Sequence, residues 1–435
     1  MTSEHSHILW RNSDQQEAHY APLAQPLSVD LLIIGGGFTG CAAALEAARS
    51  GASVALVEAN TIGHGGSGRN VGLVNAGLWL PPDSIVKKLG PSAGEKLIDC
   101  LSGAPDAVFK NVADLGINCE ATRNGTLHLA HAPRGMKDLR KRFQQGNRFG
   151  APLQLLDAAQ TKERTGSDAF HGALFDPRAG TVQPLAYCRG LASEAARLGA
   201  QIFTQSKVSK LTRANGTWLA EVNGHQISAK HVLQATNAYA EGLSNIPKAA
   251  FVPVSFSQFA TEPLTEAQRV NILPGGEGCW DTGLVMSSIR IDAEGRLVIG
   301  GLGNAKGAGA IVHEAWARRK LAFFYPELAD VAFAHCWTGD IAMTSDHIPK
   351  VVRIGPSALS VFGYSGRGIG PGTVFGQSAA RALLFGETNS LPVEICETHT
   401  ESFASLRAAY YECGTIVTHA VSPNPLKTNR TGHTA

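Results

Sequence analysis

Hydrophobic and polar positions give the chain two textures. Residues 29–34 (VDLLII) form an apolar run interrupted only by Asp30, too short and too rich in branched residues for a helix, and predict a buried strand. Glycines follow at 35, 37 and 40, and residues 41–48 turn alanine-rich and helix-forming. A second strand, residues 53–57, ends in Glu58. Residues 82–150 read as helical around a short strand at 125–130, and the basic run 134–148 has its charges at helical spacing, as on a solvated face. Residues 172–184 alternate turns and short strands, 185–198 read as a helix, and 201–210, 218–222 and 230–235 as strands. Residues 251–260, 283–291 and 297–301 alternate with turn residues between them and predict an antiparallel sheet foreign to the doubly wound half. Residues 359–362 lead into a second glycine turn, GYSGRGIGPG, and a helix at 373–384.

Length and composition narrow this picture. A chain of 435 residues, 44% apolar, has room for two domains with ordinary cores. A net charge of +2 with 17% charged residues offers no footprint for nucleic acid. The eight cysteines are scattered with no C-x-x-C pair, so neither zinc nor any other metal is expected. The first residues lack a basic region followed by an apolar core, and no apolar run reaches the ~20 residues of a bilayer span, so a cytoplasmic protein without a transmembrane segment is expected.

The first glycine cluster has G-x-G-x-x-G spacing between strand and helix, and Glu58 follows Gly40 at close to the roughly 20-residue offset of a ribose-binding carboxylate. Gly35 permits the tight turn, Gly37 lets backbone N–H groups approach a pyrophosphate, and Gly40 lets the helix pack on the sheet. An acid at 58 disfavours a 2′-phosphate, leaving NAD or FAD. Residues 61–79 contain six glycines and present Ser67, Arg69 and Asn70, as backbone wrapped around a ligand would.

Four blocks, the fingerprint ending in Glu58, the loop IGHGGSGRN at 62–70, QATNAY at 234–239 and the 363–372 turn, together resemble the FAD-dependent amine and amino-acid oxidoreductases of the glycine oxidase and D-amino-acid oxidase (DAO) family. The likeness is greatest to the branch containing gamma-glutamylputrescine oxidase and bacterial L-pipecolate oxidase, through 62–70, the W-T-G at 337–339 and 364–368. The resemblance implies an α/β fold, α+β overall. A Rossmann-like FAD-binding domain would occupy residues 28–100, 165–240 and 330–388, with an inserted antiparallel-sheet substrate domain at 101–164 and 241–329. Residues 1–27 would be an arm with Trp10 and Tyr20 docked on the body, and 389–435 a mostly peripheral tail. It further implies that Gly35, Gly37, Phe38, Thr39, Gly40, Glu58, Ser67, Arg69, Asn70 and Val208 bind FAD, together with Gly366, Arg367, Gly368 and Gly370. Arg290, Tyr364 and Trp337 would form the substrate site, with Arg290 as carboxylate clamp or, equally, a strand arginine exposed on a sheet face. His64 and His347 read as structural.

The flavin is expected to be non-covalent, since Asn70 stands where some relatives have a linking His and Cys336 is off register. The implied reaction is hydride transfer from a carbon beside an amine nitrogen to flavin N5, giving an imine, with an L-pipecolate-like substrate first and gamma-glutamylputrescine or another polyamine-derived amine second. The acceptor would be oxygen or a quinone or electron-transfer chain. Residues 296–301 lack the lysine that sarcosine-type oxidases use with oxygen. A plain NAD dehydrogenase and a non-catalytic or tRNA-modification-type FAD protein are the alternatives.

Overall fold

The computed structural model describes residues 8–13, 19–240 and 249–421. The apolar run at its start forms strand Leu27–Ile34, at the middle of a nine-stranded sheet. Parallel partners fix its register on both sides, Leu31 lying opposite Val54 on one and His231 on the other. The strand order is Ile395–Cys396, Lys350–Gly355, Ala358–Phe362, His225–Gln234, Leu27–Ile34, Val54–Val57 and Gln201–Phe203. An antiparallel meander of Val208–Ala214 and Thr217–Val222 extends from His225–Gln234.

Period-two alternation divides this sheet between two cores. Leu31, Ile33, Val54 and Leu56 pack under helices Phe38–Arg49, Pro184–Arg197 and Ile369–Phe385, while Leu32, Ile34, Ala55 and Val57 pack against Val208, Leu211 and Trp218 of the meander. Both faces are covered, which is why these strands read as continuous apolar runs. Helix Ile369–Phe385 lies close on helix Phe38–Arg49 because a Cβ at Gly376 would fall 2.3 Å from the Thr39 carbonyl oxygen.

The second sheet has eight strands, ordered Phe333–Met343, Val252–Thr261, Leu297–Leu302, Ser287–Ile291, Gly278–Asp281, Thr126–Leu129, Ala173–Asp176 and Gln154–Leu156. Every pairing is antiparallel except that of Gly278–Asp281 with Thr126–Leu129. Helix Ala310–Phe324, not anticipated from sequence, contributes Trp316, Leu321 and Phe324 to its core. The mixed α/β architecture, a doubly wound half joined to an antiparallel one, is the expected fold class.

The strands redraw the expected boundaries. Ala173–Asp176 and Phe333–Met343 fall inside 165–240 and 330–388, yet both hydrogen-bond into the second sheet, the latter along the length of Val252–Thr261. The tail is not peripheral throughout. Helix Ala404–Val421 buries Thr415 and His419, and the His419 ring stacks on Trp316 at 4.0 Å. In the arm, helix Leu9–Asn12 places Trp10 fully in the interior. Residues 1–7 and 14–18 of the arm, 241–248 of the expected substrate domain and 422–435 of the tail lie outside the described residues. No helix among the described residues is long and apolar enough to cross a membrane.

Candidate functional site

The two glycine turns meet in one cavity of about 890 Å³. Gly35 has φ +110°, and a Cβ there would lie 2.9 Å from the Ala235 carbonyl oxygen, so the turn admits only glycine. Gly37 then caps helix Phe38–Arg49 without a capping side chain, and the first turn holds no acid. Helix Ile369–Phe385 begins in the same way at Gly368. Two positive helix ends therefore face one space, with only the first N–H of the earlier helix, that of Phe38, taken by a side chain, an arrangement that favours a ligand with phosphate and electron-rich oxygens. A 2.7 Å hydrogen bond between the Thr39 and Tyr364 hydroxyls joins the two turns, and burial raises the Tyr364 pKa, keeping the phenol protonated.

At the end of strand Val54–Val57, Glu58 accepts hydrogen bonds from the Gly36 N–H at Oε2 and the Asn60 N–H at Oε1, both 2.8 Å. Burial raises its pKa, and these two N–H groups oppose that shift. Each oxygen keeps acceptor capacity toward the cavity, as paired ribose hydroxyls require. Ser206, Lys207 and Val208 complete this part of the wall.

The glycine loop is held from behind. The carbonyls of three consecutive residues, Arg69, Asn70 and Val71, accept from the Trp337 indole at 2.8 Å, the Trp10 indole at 2.8 Å and the Arg290 guanidinium at 3.4 Å. Arg290 also donates to the Val182 carbonyl at 2.6 Å and lies 5.4 Å over the Trp10 ring. Arg69 donates to the carbonyls of His64 and Thr338, both at 3.0 Å. With its outer carbonyls fixed, the loop turns Ser67 and Asn70 inward. Ser67 Oγ accepts from the Phe38 N–H at 3.0 Å, and the Asn70 amide closes the loop on the Gly66 and Ser67 carbonyls.

A further stretch of wall is aromatic and cationic. Arg367 lies between the rings of Trp79 and Trp280, 4.8 and 4.9 Å from their centroids. Its Nη1 donates to the Ala76 carbonyl at 3.0 Å, and its Nε is buried with no partner. Burial, with Arg142 adding, pulls its pKa down to about 9, an unfavourable setting for a cation that an anion in the cavity would relieve. Arg142 is paired with Asp138 at 2.8 Å and donates to the Trp79 carbonyl at 2.9 Å. His128 stacks on Trp280 at 5.0 Å, and burial lowers its pKa, keeping it neutral.

Of the residues expected at the site, Gly35, Gly37, Phe38, Thr39, Glu58, Ser67, Asn70, Val208, Tyr364, Gly366, Arg367, Gly368 and Gly370 line the cavity. Four lie off its wall. Gly40 is a packing glycine, since a Cβ there would fall 1.9 Å from the Gly35 carbonyl oxygen. Arg69, Arg290 and Trp337 belong to the brace behind the loop. Arg290 is neither a clamp facing the cavity nor an exposed strand arginine: it is 2% exposed, and its Nε and Nη1 donate to backbone carbonyls. Trp337, 1% exposed, packs edge-on against Trp10. His64 and His347, read as structural, both border the cavity. Sequence reasoning missed Trp79, His128, Arg142 and Trp280, which come from separate elements and share no motif; the one signal was Trp79 closing the glycine-rich loop.

The residues present fit FAD. A Cβ at Gly37 would enter the cradle 2.9 Å from Ser67 Oγ, both uncapped helix ends face the cavity, and Glu58 stands where an adenosine ribose requires an acceptor. Comparison with known proteins agrees. The family model DAO, FAD dependent oxidoreductase, matches residues 30–382. The chain is 32% identical to Probable oxidoreductase OrdL of Haemophilus influenzae over 391 residues, covering 88% of this chain and 89% of that protein. It is 27% identical to gamma-glutamylputrescine oxidoreductase of Escherichia coli, covering 94% and 98%. The fold is similar to that of glycine oxidase from Geobacillus kaustophilus, with a TM-score of 0.71 over 86% of this chain and 100% of that one at 19% identity. The chain belongs to the DAO family of FAD-dependent oxidoreductases.

Proposed function

We propose that this enzyme oxidises the C–N bond of a small amine or amino acid that carries a carboxylate, giving an imine. The observation that carries the reading is Arg367, a guanidinium on the cavity wall fixed between Trp79 and Trp280 and held through Nη1 by the Ala76 carbonyl. A guanidinium held flat by two rings presents its fork to a carboxylate. The uncapped ends at Gly37 and Gly368, with Glu58, Ser67, Asn70 and Val208, would hold FAD. Bound FAD supplies the two-electron acceptor at N5. The chain's own part is to hold the reacting carbon near attack distance and to exclude water; no acid–base pair is needed.

An L-pipecolate-like ring amino acid is the leading substrate. Gamma-glutamylputrescine is the second reading, favoured by the similarity to the Escherichia coli protein of that name along nearly both chains. Its glutamyl carboxylate would use the same arginine. The flavin is read as non-covalent: Cys336 lies in the second core, and the Asn70 side chain is committed to the loop. A cytoplasmic setting accords with eight free cysteines. The test is an anaerobic panel of amines and amino acids watched by bleaching of the visible flavin band. Bleaching by carboxylate-bearing amines supports the proposal, and a flavin-loaded sample that none of them bleaches refutes it. Admitting oxygen to the bleached sample then separates oxygen from a quinone or other electron carrier as acceptor.

A further inference from the structure

Helix Ala404–Val421 packs its inner face on the second sheet, burying Thr415 and His419. Its outer face is apolar as well. Phe403, just before the helix, is 78% exposed, and along the helix Leu406 is 70%, Tyr410 74%, Val417 60% and Val421 72% exposed. Ala409, Cys413, Gly414 and Ala420 lie among them, also exposed. The helix's acid and its arginine are both half-buried and paired: Arg407 with Glu401, and Glu412 with His313 and the Asn304 N–H. The exposed positions of residues 402–421 thus carry no charge, Ser402 and Ser405 being their only polar side chains, and a helix apolar on both sides is one buried on both sides.

Gly414 is a second, independent sign. It sits mid-helix, where glycine is unfavourable, and a Cβ there would have nothing within 4 Å. Nothing inside the subunit calls for a glycine, whereas a second backbone passing close by would. The segments outside the described residues, 1–7, 14–18, 241–248 and 422–435, hold Met1, Leu243, Ile246 and Leu426 as their large apolar residues, too few and too dispersed to cover this face.

We propose that the face is covered by the same helix of a second copy, running antiparallel about a two-fold axis between Tyr411 and Glu412. The pattern is self-complementary in that register. Tyr410 falls opposite Cys413, Phe403 opposite Ala420 and Leu406 opposite Val417, so each aromatic ring meets a small residue. Ala409 falls level with Gly414 on the flanks of the contact. A two-fold contact must bring one patch against itself, and this patch satisfies that condition.

Light scattering on the flavin-loaded full chain should give twice the chain mass. Gly414→Arg should give the single-chain mass while keeping flavin content and thermal midpoint, because the site is open within one subunit. Tyr410→Cys should form a disulfide with Cys413 of the second copy under mild oxidation, giving a covalent dimer that Lys110→Cys, on a distant exposed helix, does not give. A single-chain mass for the wild type overturns the proposal, as does a Gly414→Arg variant that stays at twice the mass. A single-mass wild type that pellets with phosphatidylcholine vesicles overturns it in favour of a lipid surface.

Discussion

Replacing Arg367 by methionine keeps an unbranched stem between Trp79 and Trp280 and removes the guanidinium. Two kinds of interaction are lost. One is the stacking at 4.8 and 4.9 Å, about 0.5–2 kcal/mol for each ring. The other is the charge-assisted hydrogen bonding to a substrate carboxylate, about 1.5–3 kcal/mol. The first is present before substrate arrives and cancels from the binding difference, so it acts on stability. The second exists only in the complex and acts on kcat/KM. Anaerobic stopped-flow reduction of the flavin by L-pipecolate should therefore slow about 10- to 150-fold in kcat/KM, chiefly through KM. Piperidine, the same ring without the carboxylate, should lose less than about threefold, because it never used the missing bond. Arg367→Lys should recover part of the loss, restoring charge without the planar fork. Equal losses for the two substrates would refute the clamp. So would a variant that purifies without flavin and regains full activity on adding FAD, which would make Arg367 a cofactor ligand.

Arg290→Met leaves the Val71 and Val182 carbonyls short of a donor, at about 1–3 kcal/mol; the thermal midpoint should fall by about 1–3 °C with KM unchanged, and a raised KM at unchanged stability would put Arg290 back in the substrate site. Gly40→Ala drives a Cβ to 1.9 Å from the Gly35 carbonyl oxygen, so the protein should purify with FAD well below one per chain; full flavin content, read from the ratio of visible to 280 nm absorbance, would contradict this. Burial, with His313 next, lowers the His419 pKa to about 3, below its unfolded value of roughly 6.5. The unfolded chain then takes up the proton first, so stability is whole above about pH 6.5 and declines toward pH 3, by at most about 1.4 kcal/mol per pH unit for this group. Urea denaturation at pH 7.5 and 5 should show the loss, and His419→Phe should reduce it.

The nucleotide half was legible because each of its requirements is local. A turn at φ +110°, a helix started without a capping side chain and an acid ending the second strand each restrict the residue at one position, and the sequence displays those restrictions in order. The substrate end is not local. Arg367 meets Trp280 because strand Gly278–Asp281 of the other sheet arrives beside the C-terminal turn, and no spacing in the chain records that meeting. The domain boundaries failed for the same reason, since strands of the two sheets have like composition and only pairing decides to which sheet Phe333–Met343 belongs.

Arg290 stands on a strand that borders the cavity, yet its own neighbours are the loop and the arm. Ser288 and Arg290 lie two apart on strand Ser287–Ile291 and so face the same way, and Ser288 does line the cavity. Past it the glycine loop closes over the sheet: Val71 borders the cavity and gives its carbonyl to Arg290. Gly72, at φ +87°, makes room, since a Cβ there would fall 2.4 Å from Arg290 Nη1. Trp10 and Trp337 obey the same logic. A buried indole N–H needs an acceptor, and an irregular loop needs donors for carbonyls that no strand or helix satisfies. Each supplies what the other lacks, so large donor-bearing side chains near a glycine-rich loop are as well suited to hold it from behind as to line the space it encloses. Arg367 shares that role through the bond from Nη1 to the Ala76 carbonyl, but unlike Arg290 it also lines the cavity, between Trp79 and Trp280.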